Sequence, residues 1–403
     1  MLLTSFSFLL FFPTVFLLYY CVFHRNVRWQ NLFVLLASCI FYGCWDWRFL
    51  GLLMVTSFST YFAGWWMGDT DDQKSRKWIN VGAIVLNMGI LFFFKYFNFF
   101  VESFVDLFAL CGIELNVPTL KILLPVGISF YSFSALSYTI DVYQRKIEPT
   151  RDWLAYLCYV TFFPSILSGP INRATKQLPQ FLQLRTFNYE MVAGGTKMLI
   201  WGLFVKLCVA DRLGIYVDTV YGNMVQHTGL TLLVTSIIYT LQIYADFAGY
   251  SLMAIGLGKM LGIELQTNFI RPYFAKTVTD FWRRWHISLT TWFRDYIYFP
   301  LGGNRCSQAR WMLNTMIVFV VSGLWHGAAY TFLIWGAFHG LCMIVEKLVY
   351  GDRLKLMTNR VTLANGMRMC LTFVVVNFAW IFFRLDSFDN AIYAVEQIAT
   401  MGG

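Results

Sequence analysis

The chain has 403 residues, of which 58% are hydrophobic, 19% aromatic and only 13% charged, and its mean hydropathy is +0.56. Because soluble domains carry about 25% charged residues, this composition excludes an ordinary soluble protein. The alternation that a β-barrel requires is missing, so we expect an all-α integral membrane protein. The net charge of +9 lies in clusters between apolar runs. That distribution fits loops facing anionic lipid and argues against a nucleic-acid partner.

Apolar stretches of membrane-spanning length recur along the chain and predict a multi-pass bundle, since a crossing helix needs about 20 apolar residues. The stretch 152–170 is interrupted by Pro164, Gly169 and Pro170. We expect it to be a re-entrant or kinked element rather than a straight span. The predicted spans lie near residues 5–23, 31–45, 48–67, 80–100, 122–140, 190–210, 230–257, 311–328, 329–349 and 368–384.

The first apolar stretch predicts an uncleaved transmembrane helix with its N-terminus outside. No basic residue precedes it, whereas Arg25 and Arg28 follow it. Basic residues also mark the loops near 69–79 and 144–151, while the connection 101–120 carries acidic residues. Positive charges favour the cytoplasmic side, so this alternation indicates the same orientation.

The organisation of the chain predicts a single polytopic domain over residues 1–403. No internal repeat, low-complexity tract or long polar linker separates one part from another. The nine cysteines are scattered without a CxxC pair. We therefore expect reduced packing residues rather than a disulfide frame or a metal site.

The stretch FWRRWHISLTTWFRD, residues 281–295, combines arginines, tryptophans and His286. Taken as one helix, it has its large apolar residues on one face and His286 at the border of that face. Residues 271–310 hold seven basic and two acidic residues. One interpretation is an amphipathic interfacial helix with snorkelling arginines. The other is a basic, aromatic surface that binds a phosphate-bearing ligand.

His326 lies in VSGLWHGAAYTFLIWGAFHG, residues 321–340, among small residues that leave room for another backbone or for a substrate. Ionisable side chains within a membrane are costly and are candidates for a functional site. A neutral imidazole there could accept a proton. The alternative is a core histidine bonded to a neighbouring helix. For His339, in the same stretch, we expect a structural or interfacial role.

Asp246 lies in the apolar run QIYADFAGYSLMAIGLGKMLG, residues 242–262. A carboxylate at such a position needs a partner, so we expect a packing salt bridge, with a polar tunnel as the alternative. The glycines of this run predict close helix packing. The sequence has no GxSxG elbow, Walker loop, HExxH or Cys/His zinc spacing, so it gives no support to a soluble-type nucleophile site or a metal site.

Three stretches together resemble the membrane-bound O-acyltransferase family, and its bacterial branch of alginate O-acetylation proteins most, with the teichoic-acid D-alanylation protein more distant. The resemblance implies a multi-pass helical fold with re-entrant elements and a central tunnel. It places the histidine of the family's GxWHG context at His326, after Trp325, and that of the WRRWH context at His286. Relatives usually continue beyond FAWIFFRLDSF with another helix or two, so this chain is expected either to lack C-terminal helices or to be a short member of the family. The three stretches are QIYADFAGYSLMAIG, NFIRPYFAKTVTDFWRRWHISLTTWFRDYIYFPLGGNR and SGLWHGAAYTFLIWGAFHG.

The resemblance implies a membrane O-acyltransferase, and we predict an O-acetyltransferase of the bacterial cytoplasmic (inner) membrane. It would move an acyl group from a cytoplasmic thioester, acyl-CoA or the phosphopantetheine of an acyl carrier protein, towards hydroxyls of an extracytoplasmic polysaccharide. An extracytoplasmic acyltransferase would be its partner, and no bound cofactor or metal is expected.

Within that prediction, His326 is the general base and His286 assists it. Residues expected to line the donor site are Arg283, Arg284, Trp285, Trp325 and Asp246. The alternative function is a transporter or flippase that moves an acylated or anionic solute without acyl-transfer chemistry. A third possibility is a scaffold that recruits an outer acyltransferase, for which His326 would be dispensable.

Overall fold

The computed structural model describes residues 1–401 except 116, 118, 119 and 352–361, and within these residues it shows sixteen α-helices and no strand. The all-α prediction is therefore confirmed. Two π-helical segments continue helices, Val205–Ala210 after α8 and Arg294–Tyr298 after α12. The helices are α1 (Phe6–Cys21), α2 (Val27–Gly43), α3 (Arg48–Gly68), α4 (Gln73–Leu110), α5 (Ile128–Tyr143), α6 (Trp153–Thr161), α7 (Ala174–Phe181), α8 (Tyr189–Phe204), α9 (Asp211–Tyr221), α10 (Gly229–Met260), α11 (Val278–Arg284), α12 (Ile287–Phe293), α13 (Gln308–His326), α14 (Tyr330–Tyr350), α15 (Leu363–Arg384) and α16 (Phe388–Thr400).

Every predicted span contains a helix, although the first residues of α4 and α5 differ clearly from the predicted starts. Helix α4 has 38 residues and begins early because the Asp72 carboxylate caps it, accepting from the N–H groups of Lys74 and Ser75. Helix α5 begins late, after Gly127 in a left-handed conformation with φ +78°. By length and hydropathy alone, α4, α10, α14 and α15 are the helices of the described part that can cross a membrane. Helices α7, α9 and α16 were missed because they are short or amphipathic.

The predicted interruption of residues 152–170 is confirmed. Helix α6 has only nine residues, and it ends before Pro164. Asp152 caps its start by accepting from two backbone N–H groups. The chain then continues without a helix to Arg173, and this segment is buried almost throughout.

The chain divides into two compact units. Unit 1 comprises residues 1–203 and 250–266, and unit 2 comprises residues 204–249 and 267–403. A single domain over residues 1–403 stays a prediction.

Unit 1 is held together by close helix packing and by buried polar groups. A Cβ on Gly256 would lie 2.6 Å from the carbonyl oxygen of Gly195, so only glycine permits this approach of α8 and α10. The predicted packing role of that glycine is confirmed. The guanidinium of Arg185 is 5% exposed and donates to Tyr19 Oη and Asn31 Oδ1, each at 2.7 Å. These bonds satisfy a charge that burial would otherwise make costly.

Candidate active site

Residues 281–295 do not form the single helix that the sequence pattern indicates. Helix α11 ends at Arg284, Trp285 is extended, and His286 adopts a left-handed conformation (φ 43°, ψ 53°) before α12 begins. A left-handed backbone costs a non-glycine residue roughly 1–2 kcal/mol. The neighbouring segment compensates, because Ile270 N–H donates to the carbonyl oxygen of Arg284 (3.0 Å) and Ile287 N–H to that of Asn268 (2.9 Å).

This break changes where His286 points. The continuous-helix interpretation put it at the border of an amphipathic face, whereas its side chain is fully buried, with 0% exposure. Its ring lies 4.6 Å from that of Phe247 and 5.8 Å from that of Trp325, measured between centroids. His286 lies outside the four helices able to span the membrane, and burial lowers the pKa of its imidazole to about 3. It is therefore neutral at physiological pH.

His326 lies beside His286, with 6.2 Å between the ring centroids. It is the last residue of α13 and is half-buried. Its ring is 4.9 Å from Trp325, 5.1 Å from Trp335 and 5.2 Å from Phe383. The negative end of the α13 dipole is at this position, which favours a positive charge on an imidazole that has accepted a proton.

The packing of α13 against α14 sets the position of His326. A Cβ on Gly323 would clash with the carbonyl oxygen of Phe332, and one on Gly336 with that of Phe319. The two helices therefore meet backbone to backbone through these glycines. This confirms that small residues near His326 leave room for another backbone. The contact also brings Trp335 of α14 onto the ring of His326.

His339 is buried in the core. It is 0% exposed, and its ring lies 5.1 Å from both Trp282 and Trp335. The ring of Trp335 thus contacts both His339 and His326, each at 5.1 Å between ring centroids. Of the two roles expected for His339, this placement favours the structural one.

Trp285 is also a core residue. It is 2% exposed, and the rings of Phe269 and Trp380 each lie 5.0 Å from it. A side chain enclosed in this way cannot line an open surface, so we leave Trp285 out of the proposed donor site. Trp325, which is 6% exposed, instead lies beside both histidines, with its ring 5.8 Å from that of His286 and 4.9 Å from that of His326.

A cavity of about 340 Å³ lies along α13. Ser322 is the lining residue of α13 nearest to His326 in sequence, four residues or about one helical turn before it. Three basic side chains line it, Arg283, Arg294 and Lys347, and no carboxylate is among its described lining residues. The α13 residues that line it fall on one face of the helix and are Trp311, Thr315, Val318, Phe319 and Ser322.

The arginines grouped together by the sequence separate in the structure. Arg283 is exposed and lines the cavity. Arg284 lies outside the lining and donates from Nε to Asp280 Oδ1 at 2.9 Å. Lys347, which the sequence interpretation left out of the donor site, lines the cavity and stands over the ring of Trp311 at 5.2 Å. The sequence signal that could have identified Lys347 is the position of a basic residue close to the end of an apolar helix.

Asp246 lies apart from this cavity lining. It forms an ion pair with Lys206, and Lys206 also contacts Asp211 Oδ1 at 2.7 Å. One lysine thus neutralises part of the charge of two carboxylates, which supports the packing salt bridge expected for Asp246. All nine cysteines are free. The described residues contain no cluster of three His, Cys, Asp or Glu side chains suited to a metal ion.

Comparison with known proteins relates this arrangement to a family. The profile of MBOAT, the membrane-bound O-acyltransferase family, matches residues 119–385. The chain is 38% identical over 384 residues to a protein named probable alginate O-acetylase AlgI from Azotobacter vinelandii, covering 95% of this chain and 74% of the relative. It is 31% identical over 422 residues to the peptidoglycan O-acetyltransferase of Helicobacter pylori, covering 98% and 78%.

A more distant relative is the teichoic acid D-alanyltransferase of Bacillus subtilis, 27% identical over 237 residues, which covers 54% of this chain and 58% of that protein. The family profile spans helices α5 to α15, and both site histidines lie within it. The chain therefore belongs to the membrane-bound O-acyltransferase family and is an O-acyltransferase.

Proposed function

We propose that this protein transfers an acyl group, an acetyl group in the first instance, from a cytoplasmic thioester to a hydroxyl acceptor destined for a polysaccharide outside the membrane. One observation carries the proposal above the others. Two histidines, His286 and His326, lie with their rings 6.2 Å apart, and a cavity lined by three basic side chains reaches Ser322, about one helical turn before His326. Such a cavity suits a ligand with phosphate at one end and a reactive group at the other.

His326 acts as the general base in this mechanism. The hydroxyl oxygen attacks the carbonyl carbon of the thioester while the imidazole of His326 takes the hydroxyl proton. The carbon–sulfur bond then breaks, and the departing thiolate receives that proton from the imidazolium. The position of His326 at the C-terminal end of α13 stabilises the imidazolium between these two steps.

His286 assists as a neutral hydrogen-bond donor. Its burial lowers the pKa of the imidazole to about 3, so the ring keeps one N–H and carries no charge during the reaction. A neutral N–H aimed at the thioester oxygen would stabilise the charge that develops there. The rigid surroundings of His286, with the rings of Phe247 and Trp325 against it, support a fixed orientation.

The cavity along α13 is the proposed site of the donor. Arg283, Arg294 and Lys347 would bind phosphate, and the largely apolar wall would take the thin pantetheine arm. Both acyl-CoA and an acyl carrier protein present such an arm, and the proposal includes either donor. Arg284 and Asp246, which form ion pairs and lie outside the cavity lining, are assigned a structural role rather than contact with the donor.

The cellular setting follows the relatives by analogy. Their names refer to O-acetylation of alginate and of peptidoglycan and to D-alanylation of teichoic acid, all bacterial surface polymers. We extend this to a location in the bacterial inner membrane with the N-terminus outside, an extracytoplasmic acyltransferase as partner and a central tunnel for the acyl group. Basic loops after the first apolar stretch support that orientation.

The test is acyl transfer by purified protein in liposomes. Acetyl-CoA or an acetylated carrier protein, labelled in the acetyl group, is supplied on one side, and a soluble oligosaccharide together with the candidate outer acyltransferase on the other. We expect thioester cleavage and label on the acceptor, both lost in His326→Ala. Passage of label without thioester cleavage would instead identify a transporter, and transfer unaffected by His326→Ala would identify a scaffold.

A further inference from the structure

The backbone conformation at His286 is stabilised by other residues rather than by the His286 side chain. His286 occupies the N-cap of α12, yet its side chain makes no cap hydrogen bond. An N-cap residue ordinarily uses its side chain to satisfy the first free N–H groups of the helix. The left-handed backbone of His286 is also one that histidine seldom adopts. Another residue must therefore satisfy the start of α12.

Asn268 supplies those contacts from outside the helix. Its carbonyl oxygen accepts from Ile287 N–H at 2.9 Å. Its side-chain Oδ1 accepts from the Ser288 N–H at 3.3 Å and from the Ser288 hydroxyl at 2.6 Å. Asn268 is only 1% exposed, so these bonds are shielded from water and cannot be replaced by solvent.

We propose that Asn268 is a positioning residue that caps α12 in place of His286 and so leaves the imidazole of His286 directed at His326. The inference rests on the role proposed above for His286. If His286 capped α12 itself, its ring would fold back onto the backbone N–H groups. Because Asn268 does this instead, the ring of His286 packs against Trp325 and lies within 6.2 Å of His326.

Removal of the Asn268 side chain takes away the buried oxygen that accepts from both the N–H and the hydroxyl of Ser288. The simplest relief is a rotation of His286 onto the start of α12, or a shift of that start. Both move the imidazole away from His326, and a displacement of 1 Å at a reacting group can lower the rate by about 10²-fold.

The experiment measures the position of His286 and the reaction separately, on the full chain in lipid nanodiscs. The protein has five histidines, so labelled imidazoles give a small set of nuclear magnetic resonance signals. The His286 signal is assigned by its loss in His286→Ala. In Asn268→Ala we expect that signal to shift and kcat to fall to the level of His286→Ala with little change in KM. Asn268→Asp, which keeps the acceptor oxygens, should restore most of kcat.

The matched control is Asn377→Ala. Asn377 is another buried asparagine of unit 2, and its side chain bonds to Thr240 (2.7 Å) and Ser236 (3.0 Å). Its loss should lower thermal stability about as much as Asn268→Ala but leave the His286 signal in place. If Asn268→Ala does not fold, Asn268→Ser, which has a shorter acceptor, is measured in its place.

A double-mutant cycle completes the test. If Asn268 acts through His286, Asn268→Ala combined with His286→Ala is no slower than His286→Ala alone. Additive losses, or an unchanged His286 signal in the Asn268 variants, would overturn the positioning role. If His286→Ala keeps the wild-type kcat, the proposed function of His286 fails. The resonance of His286 in Asn268→Ala then still decides whether Asn268 positions it.

Discussion

The imidazole of His286 lies 6.2 Å from the imidazole of His326, although 40 residues separate them in the sequence. One ring is fully buried and neutral, and the other is half-buried at a helix end. Two imidazoles in such different surroundings suit different tasks. A general base must accept a proton, whereas a residue that donates a hydrogen bond to the oxyanion must keep its N–H proton. This difference leads to the first prediction.

His326→Ala should lower kcat by about 10²–10⁴-fold, the range that general-base catalysis contributes. His286→Ala should cost less, because other donors and the binding of the donor arm remain. Transfer from a labelled thioester measures both. His24→Ala, at an exposed loop position, is the control and should keep the wild-type rate. Equal losses for the two site variants would contradict this division of roles.

The stability of the protein should depend on pH through His286. Its pKa is about 3 in the folded state, against 6.5 as the ordinary value. Between pH 6.5 and 3, His286 therefore binds a proton in the unfolded chain but not in the folded chain. The stability contributed by the neutral imidazole is complete above pH 6.5 and is lost as the pH falls towards 3. The loss is at most about 1.4 kcal/mol per pH unit.

The measurement compares the wild type with His286→Asn between pH 6.5 and 5, by thermal unfolding in detergent. Asparagine tolerates the left-handed backbone but does not titrate. We expect the unfolding temperature of the wild type to fall faster than that of the variant as the pH decreases. Parallel pH curves would show that His286 is not held neutral.

The same region shows what the sequence could and could not predict. The spans were predictable because each is a long apolar run, and one of these runs contains His326. The break at His286 was not predictable, because it depends on hydrogen bonds that Asn268 accepts and Ile270 donates, and both residues are distant from it along the chain. A helical projection of residues 281–295 therefore placed His286 at the border of an apolar face, whereas its side chain is fully buried. Lys347 was missed because its distance from Arg283 in the sequence hides their shared cavity.

Lys347→Met should raise KM for the thioester donor and change kcat less, since methionine keeps an unbranched chain of similar length without the charge. A hydrogen bond to a charged group contributes about 1.5–3 kcal/mol, equivalent to roughly 10–10²-fold in affinity. Arg283→Met should act in the same way. Arg284→Met is the matched control, because Arg284 pairs with Asp280 and lies outside the cavity lining. A KM increase in that variant alone would shift the donor site to the other side of α11.

Gly323→Ala should impair both stability and catalysis, because the new Cβ would clash with the carbonyl oxygen of Phe332. The clash is with backbone rather than with a flexible side chain, so α13 and α14 must move apart. Overpacking of this kind costs roughly 1–3 kcal/mol. The same movement separates His326 at the end of α13 from Trp335 on α14, whose rings are 5.1 Å apart. We therefore expect a lower unfolding temperature together with a lower kcat.

Gly366→Ala is the control for that change. Gly366 also lies in a helix, α15, but a Cβ there would meet nothing within 4 Å. Alanine favours a helix over glycine by about 0.5–1 kcal/mol, so this variant should be as stable as the wild type or slightly more stable. Both variants are measured by thermal unfolding and by transfer from a labelled thioester. A Gly323→Ala protein with wild-type stability and rate would mean that the backbone contact between α13 and α14 does not set the position of His326.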